Sequence, residues 1–288
     1  MTDMTSSRYP VYSAGQLRRE LSFLNRQRAR IHPHEHSFSS VPSFVFQESE
    51  TGHGNFHPES YRAIQAHPEW SRRLAKAYTA GKWIPRRHDR TRCELDCANS
   101  SDALLMNIFC HPAVPQSASV CALLAIDSHT QSHFGFKPRT PVINPRTSRE
   151  GVDQTEIDMS LGSLLVEAKL TETGFQTAPV ERAQRYPGFA EIFDIEDLPV
   201  VGGTLQSWQL IRGTLAAHHL DQSFAVLCDA RRADLIERWY RVIRAVRNCN
   251  LRSRLALLTW QELAGTLPAT LQIFLREKYG IQPQPNPC

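Results

Sequence analysis

The stretch from Thr155 to Glu172 constrains the fold more than any other part of this sequence. Apolar and charged residues alternate along it, which is the pattern of half-buried β-strands. The segment Leu161-Gly162-Ser163 interrupts the alternation, and its glycine is typical of a tight turn. The stretch therefore predicts two short strands joined as a hairpin.

The charged residues of the two strands share one patch if the strands pair. Glu156 and Asp158 lie on one face of the first strand, and Glu167 and Lys169 lie on one face of the second. The opposite faces carry apolar residues: Ile157, Met159, Leu164, Val166, Ala168 and Leu170. A purely structural strand has little reason to combine acids with a lysine, so this patch is the first candidate site.

Length and composition favour a globular protein of the cytoplasm. The chain has 288 residues with 41% hydrophobic content, enough for one large domain or for one core domain with an extension. No apolar run approaches the roughly 18 residues of a membrane span, and the N-terminus lacks a charged-then-apolar leader pattern. Seven cysteines without a regular framework favour a reducing compartment. We therefore expect a cytoplasmic protein that does not associate with membranes.

Charge is distributed unevenly along the chain. Residues 1–92 carry 15 Lys and Arg against 8 Asp and Glu, a net charge of +7. The remaining residues carry 18 against 21, a net charge of −3, which recovers the total of +4. A basic part beside an acidic part suits a protein that holds a polyanion over a bound metal. An ordinary solvated surface explains the same charges equally well.

The first 90 residues give weaker signals. Leucines at helical spacing predict a short helix over Ala14–Arg30, and residues 59–83 are also predicted to be helical. The segment His32–Pro58 is rich in His, Ser, Pro and Gly, which indicates irregular structure. Its alternating histidines are either metal ligands or, more often in such a loop, simply exposed. The basic run Arg86–Arg92 is either a phosphate contact or a charged linker.

The main domain is predicted to start near Arg92. The segment Glu94–Phe109 has the pattern of a helix. In the alternative, the helix is capped at Ser100 or Ser101 and Glu94 lies on the loop before it. Three cysteines and a histidine of this region suggest a zinc site: Cys93, Cys97, Cys110 and His111. No second Cys-x-x-Cys pair supports a zinc site, so free thiols are favoured.

The remaining segments predict a mixed α/β core. Val120–Ile126 is either helix or strand, Phe134–Phe136 an exposed turn, and Thr171–Gly203 a long surface connection. Helices and strands then alternate: a helix over Leu205–Leu220, a buried strand over Ser223–Asp229, a helix over Asp234–Val246, a strand over Leu255–Leu258, a capping box from Thr259 to Glu262, and a last helix to Lys278.

The charged patch of the hairpin suits metal-assisted hydrolysis of a phosphodiester. Asp158 and Glu167 provide hard oxygen ligands for Mg²⁺, which takes one or two carboxylates and keeps several waters. A bound Mg²⁺ lowers the pKa of a water ligand and neutralises charge in the transition state. Lys169 is placed to orient or deprotonate that water, or to stabilise the developing charge. Glu94 completes a second metal position if its helix packs beside the hairpin.

These residues resemble a known superfamily. Asp158, followed after eight residues by Glu167-Ala168-Lys169, looks like the signature of the PD-(D/E)XK nucleases. The segment Ser100–Asn107 resembles the first core helix of an uncharacterised bacterial branch of that superfamily, and Leu165–Glu172 resembles its core strand. Gln209-Leu210-Ile211-Arg212 is similar to a Gln-x-x-Arg helix motif found in several members. The resemblance spans about residues 90 to 280.

The resemblance implies a restriction-endonuclease-like α/β fold with an α-β-β-β-α-β core, in which helices flank a mixed sheet. It also implies a divalent-metal nuclease activity, usually on DNA. Carried over by position, Asp158, Glu167 and the backbone carbonyl of Ala168 would bind the metal, with Lys169 catalytic and Glu94 a further metal ligand. The sequence departs from the pattern in one respect, because Ile157 stands where the superfamily has proline. That proline takes no part in the chemistry.

The same resemblance assigns Gln209 and Arg212 to shaping the site or to contacting a phosphate. We therefore expect three regions: a basic, partly irregular extension over residues 1–90, a nuclease-like domain over 91–281 and a flexible tail over 282–288. The expected function is a Mg²⁺-dependent nuclease that acts on DNA, with Mn²⁺ as a substitute for Mg²⁺. The sequence is compatible with a homodimer but does not show one. The alternative is an inactive nuclease fold that binds nucleic acid or a protein partner.

Overall fold

The computed structural model describes residues 9–50, 52–78, 84–85, 92–144 and 147–284. Its helices are α1 (Ala14–Leu24), α2 (Arg26–Ile31), α3 (Pro58–Ala66), α4 (Pro68–Leu74), α5 (Ser101–Phe109), α6 (Ala118–Leu124), α7 (Val180–Ala183), α8 (Phe189–Ile192), α9 (Trp208–Leu220), α10 (Ala233–Arg244), α11 (Cys249–Arg252), α12 (Trp260–Ala264) and α13 (Ala269–Tyr279). Its strands are β1 (His34–His36), β2 (Phe44–Phe46), β3 (Glu48–Ser49), β4 (Gly52–His53), β5 (Ser132–Phe136), β6 (Thr140–Ile143), β7 (Glu150–Asp153), β8 (Ile157–Leu161), β9 (Leu164–Ala168), β10 (Thr177–Pro179), β11 (Val200–Val201), β12 (Thr204–Gln206), β13 (Ser223–Cys228) and β14 (Leu255–Thr259).

A five-stranded mixed sheet forms the centre of the molecule, in the order β14-β13-β9-β8-β5. Strands β5, β8 and β9 are antiparallel neighbours, whereas β9, β13 and β14 run parallel. Helix α9 provides the crossover that a parallel connection from β9 to β13 requires. In chain order, α5, β5, β8, β9, α9 and β13 give the predicted α-β-β-β-α-β core, so the restriction-endonuclease-like fold is confirmed.

The predicted hairpin is formed by β8 and β9. Met159 pairs with Val166 and Leu161 pairs with Leu164, so the turn lies at the predicted place. Gly162 has φ +59°, a left-handed conformation that costs glycine little and other residues more. The turn residue thus fixes the register, which decides the side chains that face each other at the far end of the hairpin.

Apolar clusters cover both faces of the sheet. On one face α9 and α10 pack against β13 through Trp208, Leu215, Phe224 and Trp239. The other face packs against α5, α6, α12 and α13, and α1 joins it. Burial on both faces accounts for the continuous apolar sequence of β13.

The segment before the first core helix differs from the predicted helix over Glu94–Phe109. Helix α5 begins at Ser101, and the Ser100 hydroxyl accepts a hydrogen bond of 3.1 Å from the Ala103 N–H. Glu94 instead lies in a short 3₁₀ turn over Glu94–Asp96. The longer helix is therefore wrong and the capped alternative is confirmed, because the serine satisfies an N–H group that the helix itself leaves unpaired.

Two further segments are more regular than predicted. Phe134 belongs to β5 and pairs with Met159, so the predicted exposed turn is wrong. The connection over Thr171–Gly203 is not a surface loop, because it contains β10, α7, α8 and β11 and buries aromatic residues in the core: Phe175, Tyr186, Phe189 and Phe193. Most of the ambiguous segment Val120–Ile126 is helical, because α6 ends at Leu124.

The N-terminal region packs against the main sheet. The predicted helix over Ala14–Arg30 is present as α1 and α2, and Leu17 and Leu21 are buried in the core. The segment predicted to be irregular contains the antiparallel pairs β1–β2 and β3–β4. Most of the basic run, residues 86–91, and residues 79–83 of the predicted helix lie outside the described residues, as do residues 285–288 of the tail.

The C-terminal elements follow the predictions. Strands β13 and β14 and helices α10 and α13 are present, and Thr259 and Glu262 form the capping box at the start of α12. In the described part of the chain, no helix combines the length and apolar character that crossing a membrane requires.

Candidate active site

The hairpin brings Asp158 and Glu167 face to face. They lie one step beyond the pair of Met159 and Val166, and directly opposite residues of antiparallel strands have Cβ atoms about 5 Å apart. The Ala168 N–H donates a hydrogen bond of 2.7 Å to Asp158 Oδ2. The register thus places one carboxylate from each strand at the same end of the hairpin.

Lys169 completes this group, which we call the hairpin triad: Asp158, Glu167 and Lys169. Lys169 Nζ donates a hydrogen bond of 2.6 Å to Glu167 Oε1 and lies 5.7 Å from the centre of the Phe175 ring. Glu167 and Lys169 are only 1% and 5% exposed. The indole N–H of Trp260 donates to the Lys169 carbonyl at 2.9 Å, which anchors the lysine backbone.

Burial and mutual repulsion raise the pKa of Asp158 well above its usual range, since the charge of Glu167 lies close by. Burial by itself lowers the pKa of Lys169, but the negative charges of Glu167, Asp158 and Glu172 outweigh it and raise that pKa. The lysine is therefore held as a cation. The two carboxylates repel each other, and a positive charge between them would relieve the repulsion.

The backbone after the triad is held from several sides. Glu172 accepts hydrogen bonds of 2.6 Å from the Leu170 N–H and from the Ser101 hydroxyl. The fully buried Arg232 donates to the carbonyls of Leu170 and Glu172 at 3.0 and 2.8 Å. These contacts fix the backbone that follows β9 and Lys169, and Ser101 ties it to the first core helix.

A second charged cluster lies beside the triad, and we call it the extension clamp: Arg73, Lys76, Glu94, Asp102 and Glu156. Arg73 contacts Glu156 at 2.8 Å and Asp102 at 2.9 Å. Lys76 Nζ lies 2.9 Å from Glu156, 3.0 Å from Glu94 and 3.8 Å from Asp102. Two cations, one in the last turn of α4 and one just after it, therefore form ion pairs with three carboxylates of the nuclease-like core.

The clamp and the triad influence each other through Asp102. Burial raises the pKa of Asp102 to about 6, with Arg73 and Lys76 opposing the shift and the charges of Glu94 and Glu156 adding to it. The charge of Asp102 in turn contributes to the raised pKa of Asp158. The structure thus places Glu94 in the clamp, and Asp102 is the acid of the first core helix whose charge reaches the triad.

Gly135 of β5 makes room for the clamp, which gives a first prediction. Its φ is +68°, and a Cβ there would lie 2.2 Å from Arg73 Nη1 and 2.9 Å from Glu156 Cδ. Gly135→Ala should lower the free energy of unfolding by about 2 kcal/mol, because both the backbone and the ion pair are strained. Urea unfolding measures this loss.

The double variant Gly135→Ala/Arg73→Ala is the matched control. It removes the clash with the guanidinium, so the alanine at position 135 should cost less in the Arg73→Ala background than in the parent. Equal costs in the two backgrounds would contradict the proposed close approach.

Glu156 gives a pH-dependent prediction. Burial favours its neutral form, but hydrogen bonds and charge from Lys76 and Arg73 outweigh this and lower its pKa from the ordinary value of 4.5. A carboxylate with a lowered pKa in the folded state contributes stability above its unfolded pKa, and that contribution is lost as the pH falls through the folded pKa. The stability difference between the parent and Glu156→Gln should therefore shrink from pH 7 to pH 3.

Chemical denaturation at each pH measures that difference. Glu191→Gln, which removes an exposed acid from α8, provides the control and should show a small and nearly constant difference. If the difference in free energy of unfolding between the parent and Glu156→Gln stayed constant down to pH 3, this would argue against the clamp.

The Gln-x-x-Arg motif lies on α9 behind the hairpin. Arg212 is buried and donates a hydrogen bond of 3.0 Å from Nη2 to the carbonyl of Glu156. Gln209 is half-buried. The backbone N–H of Gln209 donates a hydrogen bond of 2.9 Å to the Phe175 carbonyl. Arg212 therefore holds the backbone at the start of β8, two residues before Asp158, which fits the predicted site-shaping role.

Other metal hypotheses find no geometric support. Among the residues that the structure describes, no group of three or more His, Cys, Asp or Glu side chains is arranged to hold a metal ion. This covers the alternating histidines and the cysteines near residue 95. The pKa of the Cys97 thiol is raised to about 12, chiefly by burial. The facing carboxylates of Asp158 and Glu167 remain a fitting donor set, since Mg²⁺ uses one or two protein carboxylates and several waters.

A comparison with models of protein families finds one match. Residues 8–280 match the family described as "restriction endonuclease associating with ARP". The chain belongs to this family. The match extends over the N-terminal region that carries the clamp cations as well as over the hairpin. The comparisons with curated proteins and with solved structures returned no match.

Sequence patterns do not identify several residues of the hairpin triad's surroundings and of the clamp. Asp102 stands within the segment that resembled the first core helix, yet only Glu94 was assigned from that region. Glu172 follows Lys169 by three positions, and its spacing alone gave no reason to select it. Arg73 and Lys76 carried no motif, because their role depends on how α4 packs beside β5.

Proposed function

We propose that this restriction-endonuclease family member is a divalent-metal-dependent nuclease that hydrolyses phosphodiester bonds in DNA. One observation carries the proposal: the hairpin triad places two facing carboxylates and a lysine cation at the same end of one hairpin. The family supports a nuclease. A basic N-terminal third is suited to contact with a polyanion.

The residues fit a Mg²⁺ ion, with Mn²⁺ as a substitute. Asp158 and Glu167 would hold it, together with the backbone carbonyl of Ala168. Burial and the nearby charge of Glu167 raise the pKa of Asp158, and a bound cation relieves the repulsion between the two carboxylates. When bound, the metal supplies Lewis acidity and a water of lowered pKa.

The protein's own side chains would orient the reacting groups and stabilise the charge that develops during hydrolysis. Lys169 is a cation held against Glu167, so it is suited to stabilise charge that develops on the phosphoryl oxygens. Trp260 and Arg232 hold the backbone that follows its side chain, by donating to the carbonyls of Lys169 and Leu170. Arg212 holds the start of β8. Such preorganisation lowers the reorganisation needed during reaction.

Plasmid cleavage tests the proposal. The full chain should nick or linearise supercoiled DNA with Mg²⁺ or Mn²⁺ and should be inactive with a chelator. Asp158→Asn should abolish cleavage and weaken Mg²⁺ binding in calorimetry, because it removes one of the two carboxylates. Asp127→Asn, at an exposed turn residue outside the triad and clamp, is the control. Cleavage by Asp158→Asn at the parent's rate would refute the assignment.

An inactive DNA-binding or protein-binding role is the second candidate. It is favoured by one observation, the near-complete burial of Glu167 and Lys169, because a substrate phosphate must reach these groups. This alternative predicts DNA retention in a binding assay without cleavage at any Mg²⁺ or Mn²⁺ concentration. A cleavage product in the plasmid assay that Asp158→Asn does not form would exclude it.

A further inference from the structure

A cavity in the N-terminal region shares no residue with the triad or the clamp. Its volume is about 620 Å³, and it is enclosed by α2, the β3–β4 hairpin and the first turns of α3. Small-molecule sites commonly have volumes of roughly 300–1,000 Å³. Phe56 and Tyr61 contribute aromatic surface to its wall, with ring centres 5.3 Å apart.

One end of the cavity carries a guanidinium without a carboxylate partner. Arg28 Nε donates to the Gly54 carbonyl at 3.0 Å, and the group lies 4.8 Å from the centre of the Phe274 ring. Among the described residues, no carboxylate forms an ion pair with Arg28. Burial lowers the pKa of Arg28, with Tyr279 and Glu277 opposing the shift only through longer-range charge. Arg28 is half-buried, and a cation that is partly withdrawn from water is stabilised when an anion pairs with it.

Two more basic side chains face the same cavity. His32 lines it, and its buried Nδ1 has no hydrogen-bond partner within the described part of the chain. Burial lowers the pKa of His32, and the neighbouring charges that add to this effect come from Arg28 and His53. Arg62 is exposed at the wall, and none of the described carboxylates pairs with it. Two arginines and an imidazole nitrogen without a partner among the described residues therefore line one cavity.

We infer that this cavity is a binding site for a phosphate group carried by a nucleotide or nucleic acid, with Arg28, His32 and Arg62 as its ligands. Guanidinium groups match the geometry of phosphate oxygens and bind them through charge-assisted hydrogen bonds. The site does not depend on the proposed nuclease activity, since none of its residues belongs to the triad.

Acidic residues at the same cavity indicate how such a ligand is oriented. Glu48 and Glu50 are exposed lining residues, and Glu48 accepts hydrogen bonds from the Tyr61 hydroxyl at 2.7 Å and from Gln65 at 2.9 Å. These carboxylates suit hydrogen-bond donors of a sugar or base and disfavour a second phosphate. The cavity is thus matched to a ligand with one anionic end, such as a nucleoside monophosphate or a terminal phosphate of a strand.

Calorimetry on the full chain tests the site with three probes: inorganic phosphate, adenosine monophosphate and a 5′-phosphorylated DNA oligonucleotide. Arg28→Gln and Arg62→Gln should each weaken binding of the responding probe at least about tenfold, because each removes a charge-assisted contact. Arg30→Gln, an exposed arginine of α2 that does not line the cavity, should bind as the parent does.

The outcomes show which molecule carries the phosphate and whether the site exists. Binding of adenosine monophosphate identifies a free nucleotide ligand, and binding of the oligonucleotide alone identifies a nucleic-acid phosphate. The inference is overturned if the parent binds none of the probes, or if Arg28→Gln and Arg62→Gln bind them as tightly as Arg30→Gln. Because Arg62 is exposed and unpaired among the described residues, Arg62→Gln keeps the test valid if Arg28→Gln fails to fold.

Discussion

Lys169→Met should reduce Mg²⁺-dependent DNA cleavage about a hundred- to a thousandfold while leaving Mg²⁺ binding intact or tighter. The lysine is the one cation of the triad, and removing a preorganised group that stabilises transition-state charge costs rate on this scale. The positive charge of Lys169 also repels a divalent cation at Asp158 and Glu167. Removing that charge should therefore not weaken Mg²⁺ binding. Single-turnover cleavage and calorimetry measure the two effects separately.

This separation distinguishes Lys169 from the metal ligands. Asp158→Asn should lose cleavage and metal binding together, whereas Lys169→Met should lose only cleavage. Lys137→Met, which removes an exposed lysine near β5, is the control for the loss of a positive charge. Loss of Mg²⁺ binding in folded Lys169→Met would contradict the role of the lysine as a charge stabiliser. Circular dichroism at the assay temperature establishes that the variant is folded.

The same substitution should also destabilise the protein, by about 3–5 kcal/mol in the free energy of unfolding. Lys169 and Glu167 form an ion pair at 2.6 Å with side-chain exposures of 6% and 1%. Removing one partner of a buried pair leaves the other charge without compensation, which is costly on this scale. Urea unfolding at neutral pH measures the loss.

The double variant Glu167→Leu/Lys169→Met tests the physical cause. Replacing both members of a buried ion pair with apolar residues is often neutral or stabilising. We therefore expect the double variant to recover most of the stability that Lys169→Met loses, although it should be catalytically inactive. If the double variant were as unstable as the single variant, the loss of stability would come from lost packing against Phe175. It would then not come from the unpaired carboxylate of Glu167.

The hairpin could be predicted from the sequence because its signal is local. Alternation of apolar and charged residues around Gly162 is sufficient to set the turn and the register, and the register brings Asp158 opposite Glu167. The same locality explains the success with Thr259 and Glu262, whose capping box involves residues three positions apart. Where structure follows from neighbours along the chain, the sequence pattern is informative.

The segments that were mispredicted depend on distant partners. Thr171–Gly203 is rich in turn residues, and only the completed core shows that Phe175, Phe189 and Phe193 are buried. β5 is a strand because β8 offers it an edge, and its own sequence contains a glycine with positive φ. The clamp likewise joins Arg73 to Asp102 and Glu156, 29 and 83 positions later. No periodicity within either segment can indicate such a pairing.

The contact between Asn25 and Lys278 bears on how this chain acquires its structure during synthesis. Asn25 Nδ2 donates to the Lys278 carbonyl at 2.9 Å, and Lys278 Nζ donates back to Asn25 Oδ1 at 3.2 Å, across 253 positions. Helix α13 leaves the ribosome long after α1, so the core face shared by α1 and α13 stays open until α13 has emerged. Contacts of such long range form slowly and leave apolar surface exposed meanwhile. We expect nascent chains that stop before α13 to require chaperones and to lack the finished arrangement around the hairpin.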